Sequence, residues 1–289
     1  MKLYLDCIPC FQRQALFATR DLDEKRRSEI LRKVMNLLSQ RKWDISPDEL
    51  SQDIYRLIRQ ETGIDDPYYE IKKESNREAL EFYPHLKKKV QEIANDEEKL
   101  YTAVKIAIAG NIIDFGPQIK IDLEKTLLEV LRQKPGINHF DRLYEKGLKA
   151  KSLLYFADNA GEIVFDKILI EELIALRKSS FSKITFVVKG VPVINDAMLS
   201  DAREVGIDKL PNLVFQQLGD GDVETGPKRR DEEVRQWIRG HELVVSKGQG
   251  NFEGLSNYSG ICFLLMAKCP IIAGELQVKE MDTIIKFDQ

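Results

Sequence analysis

A chain of 289 residues is long enough for one large domain or two ordinary ones, and 43% hydrophobic with 31% charged residues is a globular balance with a heavily charged surface. A formal net charge of −3 argues against a protein that coats nucleic acid, since phosphate backbones demand a net basic face. The longest apolar run, at 261–267, is far shorter than a membrane span, and residues 1–7 lack the apolar core of a signal peptide. Four scattered cysteines make no secreted disulfide framework, so the expected location is the cytoplasm.

In chain order, the first half reads as helices. Apolar residues recur at three- and four-residue spacing over 10–20, 24–41, 47–61, 67–82, 84–94 and 97–113, with Leu31, Val34, Met35 and Leu38 as one such stripe. Ser46-Pro47-Asp48-Glu49 marks a helix start, a capping residue followed by Pro and two acids. The second half changes character. Short apolar runs at 153–157, 184–188, 213–216 and 243–246 predict buried parallel strands, and 261–267 and 271–273 are candidates for two more. Amphipathic helices are predicted between them at 162–177, 196–205 and 228–239. Such alternation predicts an α/β fold: a helical N-terminal region over 1–148, packed on a doubly wound, mostly parallel sheet over 149–289. The glycine- and acid-rich stretch 219–226 reads as an exposed loop.

In open α/β sheets, ligands gather beyond the carboxyl ends of the strands. Those exits here carry Asp158-Asn159-Ala160-Gly161-Glu162, then Lys189-Gly190-Val191-Pro192-Val193-Ile194-Asn195-Asp196, then Lys247-Gly248-Gln249-Gly250-Asn251-Phe252-Glu253, and finally Lys268-Cys269-Pro270. Asp158, Asn159 and Asp196 offer hard oxygen donors suited to Mg²⁺ or Mn²⁺. Taken singly, Asp158 or Asp196 reads better as a helix cap; their occurrence at successive strand exits favours a metal site. Lys189, Lys247 and Lys268 are candidate phosphate partners, with Lys247 and Lys268 preferred. Gly248 and Gly250 allow backbone N–H groups close to phosphate oxygens, but their spacing misses the dinucleotide fingerprint. Asn111 and Asp114 share a helix face and, on spacing alone, read as structural. Cys7-Ile8-Pro9-Cys10 has the spacing of a redox pair or half a metal site. The same features admit two readings of other classes: a methyltransferase using an adenosyl cofactor, and a non-catalytic metabolite or metal sensor built on Cys7 and Cys10.

The ordered set Gly110-Asn-Ile-Ile-Asp114, Asp158-Asn-Ala-Gly-Glu162, Lys189-Gly-x-Pro-x-Ile-Asn-Asp196 and Lys247-Gly-Gln-Gly-Asn-Phe-Glu253 resembles the damage-control phosphatase family over nearly the whole chain. The CxxC at Cys7 and Cys10 is similar to that of its archaeal and bacterial subfamily. The resemblance implies a helical region joined to an α/β domain, and metal ligands at Asp158, Asn159 and Asp196. It also implies pocket residues at Asn111, Asp114, Glu253 and Lys268, beside the Lys247 and Gly248 expected from the strand exits. Implied cofactors are Mn²⁺, Co²⁺, Ni²⁺ or Mg²⁺. The implied reaction removes phosphate from small damaged or surplus metabolites such as sugar phosphates or nucleotide-related compounds, by attack of water or of a carboxylate such as Asp158. Neither substrate identity nor oligomeric state follows from it.

Overall fold

Apolar alternation in the second half produces a seven-stranded sheet covered on both faces. The computed structural model describes residues 1–111, 129–218 and 231–288. Its strands are β1 (Ile137–Asn138), β2 (Ser152–Phe156), β3 (Lys183–Lys189), β4 (Leu213–Leu218), β5 (Leu243–Lys247), β6 (Ile261–Met266) and β7 (Thr283–Phe287). They lie in the order β1-β7-β6-β5-β2-β3-β4, and every pairing is parallel except β6 with β7. Successive side chains point to opposite faces. Leu153 and Tyr155 of β2 accordingly enter one apolar core, and Leu154 and Phe156 enter the other. Cys262, Leu264 and Met266 of β6 alternate with Ile261, Phe263 and Leu265 in the same way. Each fully buried Leu, Ile or Phe contributes about 1.5–3 kcal/mol.

The helices are α1 (Cys7–Ala18), α2 (Glu24–Gln40), α3 (Pro47–Thr62), α4 (Tyr69–Gln91), α5 (Asp96–Gly110), α6 (Phe140–Lys149), α7 (Glu162–Leu176), α8 (Leu199–Glu204), α9 (Asp231–Arg239), α10 (Gln249–Leu255) and α11 (Pro270–Leu276). The first sheet face is covered by α7 with α4, α5, α6 and α8, the second by α9, α10 and α11. A third cluster joins α1, α2 and α3, and Val193 from the loop after β3 is buried in it. The cores are therefore not divided at residue 148. Residues 79–109 share a core with the sheet, whereas 11–68 form a separate lobe seated on a strand exit.

Several local expectations need correction. Residues 271–273 form the middle of α11, because Pro270 at its first position favours a helix start over a strand. Pro84 lies inside α4, which runs unbroken where two helices were expected. In α2 the buried stripe is Ile30, Val34 and Leu38, while Met35 is exposed. The stretch 219–226 lies outside the described residues. The capping box at Ser46 is present: its hydroxyl accepts from the Glu49 amide at 3.3 Å, and Glu49 Oε2 accepts from the Ser46 amide at 3.0 Å.

One pH-dependent contact lies away from the strand exits. The His241 ring contacts the Trp237 carbonyl through Nδ1 at 2.7 Å and the Thr185 hydroxyl through Nε2 at 2.8 Å, and burial lowers its pKa. A histidine held neutral in the fold stabilises it above the unfolded pKa of about 6.5, and that contribution is lost as pH falls through the folded value. Denaturant titrations should therefore show the stability gap between the native chain and His241→Gln narrowing below about pH 6. A gap that widens in acid would overturn this reading.

Candidate active site

The sheet order reverses direction between β2 and β5, since β2 is followed outward by β3 and β5 by β6 on the opposite side. At such a switch point the connections diverge and leave a crevice beyond the strand ends. Asp158 lies at the exit of β2 and Gly248 at the exit of β5, so both flank that crevice.

The β2 and β3 exits are tied together by backbone. Asn159 and Asp196 form an isolated antiparallel bridge, Ala197 N donates to Asp158 O at 2.7 Å, and Ala160 N donates to Asn195 O at 2.9 Å. Neither acid is a helix cap: α7 starts behind Gly161 and α8 behind Met198. Asp158 is 8% exposed, and its Oδ2 accepts from Asn111 Nδ2 and from Asn159 Nδ2, each at 2.7 Å. The same amides donate to Glu162 Oε2, at 2.9 Å and 3.1 Å. Burial drives the Asp158 carboxyl well above the usual carboxylate range, and the charges of Glu162 and Asp196 push it further. Burial likewise pushes Asp196 up to about 6.

Lys247 occupies a different place from the one expected. Its ammonium has three donors and all are engaged: Ala107 O at 2.8 Å, Glu162 Oε1 at 2.6 Å and Asp166 Oδ1 at 2.6 Å. It lies beneath the crevice as a structural cation, with no proton left for a phosphate. Its charge persists despite burial because Asp166 and Glu162 outweigh the desolvation. Lys189 is committed as well, to Asp48 Oδ1 at 3.0 Å and Asp196 Oδ2 at 3.5 Å. Lys268 is exposed at the exit of β6, and its charge acts on Asp158.

Gly248 has φ +79°, a left-handed conformation that suits glycine. A Cβ placed there would stand 1.8 Å from Asp158 Oδ2, so the glycine admits the carboxylate itself. Gly248→Ala should lower phosphate release at least tenfold while the folded baseline in circular dichroism persists. The strain is about 1–2 kcal/mol plus displacement of Asp158. Unaltered kinetics would show that Asp158 has no fixed role. Glu253, whose carboxyl burial pushes up to about 7, accepts from Gln249 Nε2 at 3.0 Å. Gln249 Oε1 in turn accepts from the Lys268 amide at 3.3 Å.

Sequence reasoning gave no role to several residues that complete this arrangement. Glu162 is fully buried and joins Lys247 to the Asn111–Asn159 pair. Asn111, read from spacing as structural but implied as a pocket residue by the family resemblance, is brought to Asp158, while Asp114 lies outside the described residues. Asp48, in the first turn of α3, was read only as a helix-start acid, yet it is 7% exposed and held between Gln52 Nε2 at 2.8 Å and Lys189. Asn76 of α4 accepts from the Gly161 amide at 2.7 Å, fixing the turn behind Asn159. The spacing of Glu162 and Asp166, one turn apart and both fully buried, was a readable signal; that of Asp48 and Asn76 was not.

Five carboxylates (Asp48, Asp158, Glu162, Asp166 and Asp196) thus face two buried ammonium groups, Lys189 and Lys247. A surplus of buried negative charge is costly unless a cation compensates it. Asn111 Oδ1 is also buried with no hydrogen-bond partner. All the donors there are oxygens, which fits a hard divalent ion. Among the described residues no three His, Cys, Asp or Glu side chains form a metal cage. A metal would therefore rely on carboxamide oxygens beside Asp158 and Asp196.

In an open α/β sheet the switch point is where a ligand binds, and here that crevice is acidic. Comparisons with known proteins place the chain in a family. The damage-control phosphatase ARMT1-like domain matches residues 3–284, and the chain belongs to that family. It is 35% identical over 287 residues to the damage-control phosphatase PH1575 of Pyrococcus horikoshii, covering 96% of this chain and 95% of the relative. A damage-control phosphatase of Archaeoglobus fulgidus is 34% identical, with 82% of this chain and 81% of the relative covered. The crystal structure of the P. horikoshii protein, a DUF89 family member, superposes with a TM-score of 0.85 at 32% identity over all of both chains. Among the described residues no helix is long and apolar enough to cross a membrane.

Proposed function

We propose that this chain is a metal-dependent phosphoric monoester hydrolase acting on small phosphorylated metabolites, with sugar phosphates and nucleotide-related compounds as the candidate classes. The observation that carries it is the uncompensated carboxylate cluster around Asp158, with the orphaned Asn111 oxygen beside it, at the switch point of the sheet. Asp158, Asn159 and Asp196 would hold Mn²⁺, Ni²⁺, Co²⁺ or Mg²⁺. Such an ion supplies Lewis acidity, neutralising phosphoryl charge and lowering the pKa of water. The family to which the chain belongs supports this reading over the adenosyl-transferase and sensor alternatives.

The chain's own residues orient and balance charge. Asn111 and Asn159 fix Asp158 through its Oδ2, and Lys189 restrains Asp196 from one side. Lys268, exposed above the crevice, meets the phosphate as a mobile positive charge. Gln249 joins Glu253 to the Lys268 amide and so shapes that side of the crevice. The catalytic contribution is positioning and electrostatics rather than a dedicated acid–base pair. Asp48 acts through Lys189. Asp48→Asn should cut kcat/KM about tenfold to a hundredfold, the worth of one hydrogen bond to a charged group. A variant with native kcat/KM would leave Asp48 a purely structural residue.

The test of the function is a screen of chelator-stripped protein against Mn²⁺, Ni²⁺, Co²⁺ and Mg²⁺ with p-nitrophenyl phosphate, sugar phosphates and nucleotides. Phosphate release that returns only with added metal is the expected result. Hydrolysis that is indifferent to chelation, or absent with every metal, would overturn the proposal.

A further inference from the structure

The phosphatase reading leaves Cys7 and Cys10 without a task. Cys7 is the first residue of α1 and Cys10 lies one turn on, with both thiols partly exposed and free. Cα atoms three residues apart on a helix stand about 5 Å apart, inside the 4.4–6.8 Å range that a disulfide spans. Arg13 Nη2 donates to Cys10 Sγ at 3.3 Å, setting a cation against that sulfur. A third thiol is close by. The Tyr4 hydroxyl, one turn before Cys7, donates to Glu275 of α11 at 2.8 Å, and Cys269 is the residue that caps α11. Cys269 Sγ also accepts from Gln249 Nε2 at 3.5 Å, so that thiol borders the rim of the crevice, and the segment preceding Cys7 is tied to the same rim where the Met1 ammonium donates to Glu253 O at 2.8 Å. Cys7 lies within electrostatic reach of Glu253, Cys10 and Cys269.

We propose that Cys7 and Cys10 form a reversible dithiol–disulfide site at the rim of the crevice, exchanging with small-molecule disulfides. The Cys10 thiolate attacks one sulfur of an oxidant such as oxidised glutathione and expels one equivalent of thiol. Cys7 then attacks the Cys10 sulfur of the mixed disulfide and expels the second. The two cysteines give up two electrons and two protons, which leave on the two released thiols. Cys262 is fully buried and serves as the internal reference for an unreactive thiol.

The experiment is to equilibrate the full chain in glutathione buffers of graded oxidation, trap it with acid and alkylating agent, then count thiols under denaturing conditions and map peptides. Expected is a fall from four free thiols to two, with Cys7 joined to Cys10. Cys269→Ser should leave that link intact, and Cys7→Ser should stop at a mixed disulfide on Cys10. The proposal fails if all the thiols persist in the most oxidising buffer, or if the link runs to Cys269. It fails equally if the purified chain carries stoichiometric zinc that only Cys7→Ser and Cys10→Ser remove. Because wild-type mapping alone decides the pairing, a poorly folding variant does not blunt the test.

Discussion

Asp158→Asn should lower metal-dependent phosphate release on the order of a thousandfold while leaving the melting temperature within a few degrees of native. The substitution keeps the shape of the side chain but replaces an anionic oxygen by an amide in the middle of the carboxylate cluster. Loss of a single preorganised electrostatic group in an active site costs about a hundredfold to a thousandfold in rate, and Asp158 would also be a metal ligand. The fold should tolerate the change, because burial and the charges of Glu162 and Asp196 already oppose ionisation at this position. Removing the negative charge relieves that crowding even as it removes the function. A stopped assay with p-nitrophenyl phosphate and Mn²⁺, read beside a thermal melt, separates the two effects. An Asp158→Asn enzyme with more than a tenth of native activity would sink the assignment of Asp158 to the site.

The second large effect should be on stability. Lys247→Met strips the cation from beneath the crevice and leaves Glu162 and Asp166, both essentially inaccessible to solvent, without their partner. Breaking a buried ion pair from one side costs about 3–5 kcal/mol, because the stranded charge keeps its desolvation penalty. In a chain of 289 residues that corresponds to a fall in Tm of about 5–8 °C. The Ala107 carbonyl of α5 also loses its donor, so the helix that delivers Asn111 loosens from α7. Differential scanning calorimetry checks the prediction. A native Tm with abolished activity would return Lys247 to the phosphate-binding role expected from its motif, and a loss of both would fit a cation that supports the site from below.

Much of the fold was legible in the sequence because burial on both sheet faces writes near-continuous apolar runs. The runs at 153–157, 184–188, 213–216 and 243–246 correspond to β2, β3, β4 and β5, and the intervening periodic stretches to α7, α8 and α9. What escaped was short or ambiguous. β7 is five residues of mixed character, and the run at 271–273 has too few residues to distinguish a strand from a helix turn. The candidate site was legible where it follows from strand exits, which is why Asp158, Asn159, Asp196 and Gly248 could be named together. The contributions of Asp48 and Asn76 were not, because each comes from a helix whose orientation is set by packing over long sequence separations, and Asn111 was named only through the family resemblance. The burial of Ser46, Asp48, Glu49 and Gln52 shows the difficulty: polar residues at a helix start read as solvent-facing, yet here that end of α3 is turned inward. The Lys247 correction has a similar origin, since a lysine after a strand reads the same whether its ammonium rises into a crevice or folds back under α7.

The pairing of β2 with β5 has a kinetic side. Leu153 meets Leu243, a partner made ninety residues later in the chain, so the two walls that carry Asp158 and Gly248 join late in sheet assembly. β5 carries Lys247, so the cation that balances Glu162 and Asp166 reaches them only when those strands pair. Interactions of that kind govern how fast a protein opens rather than how fast it closes. For this chain, the late arrival of Lys247 beneath the acids would set the lifetime of the native state and leave the speed of reaching it almost untouched.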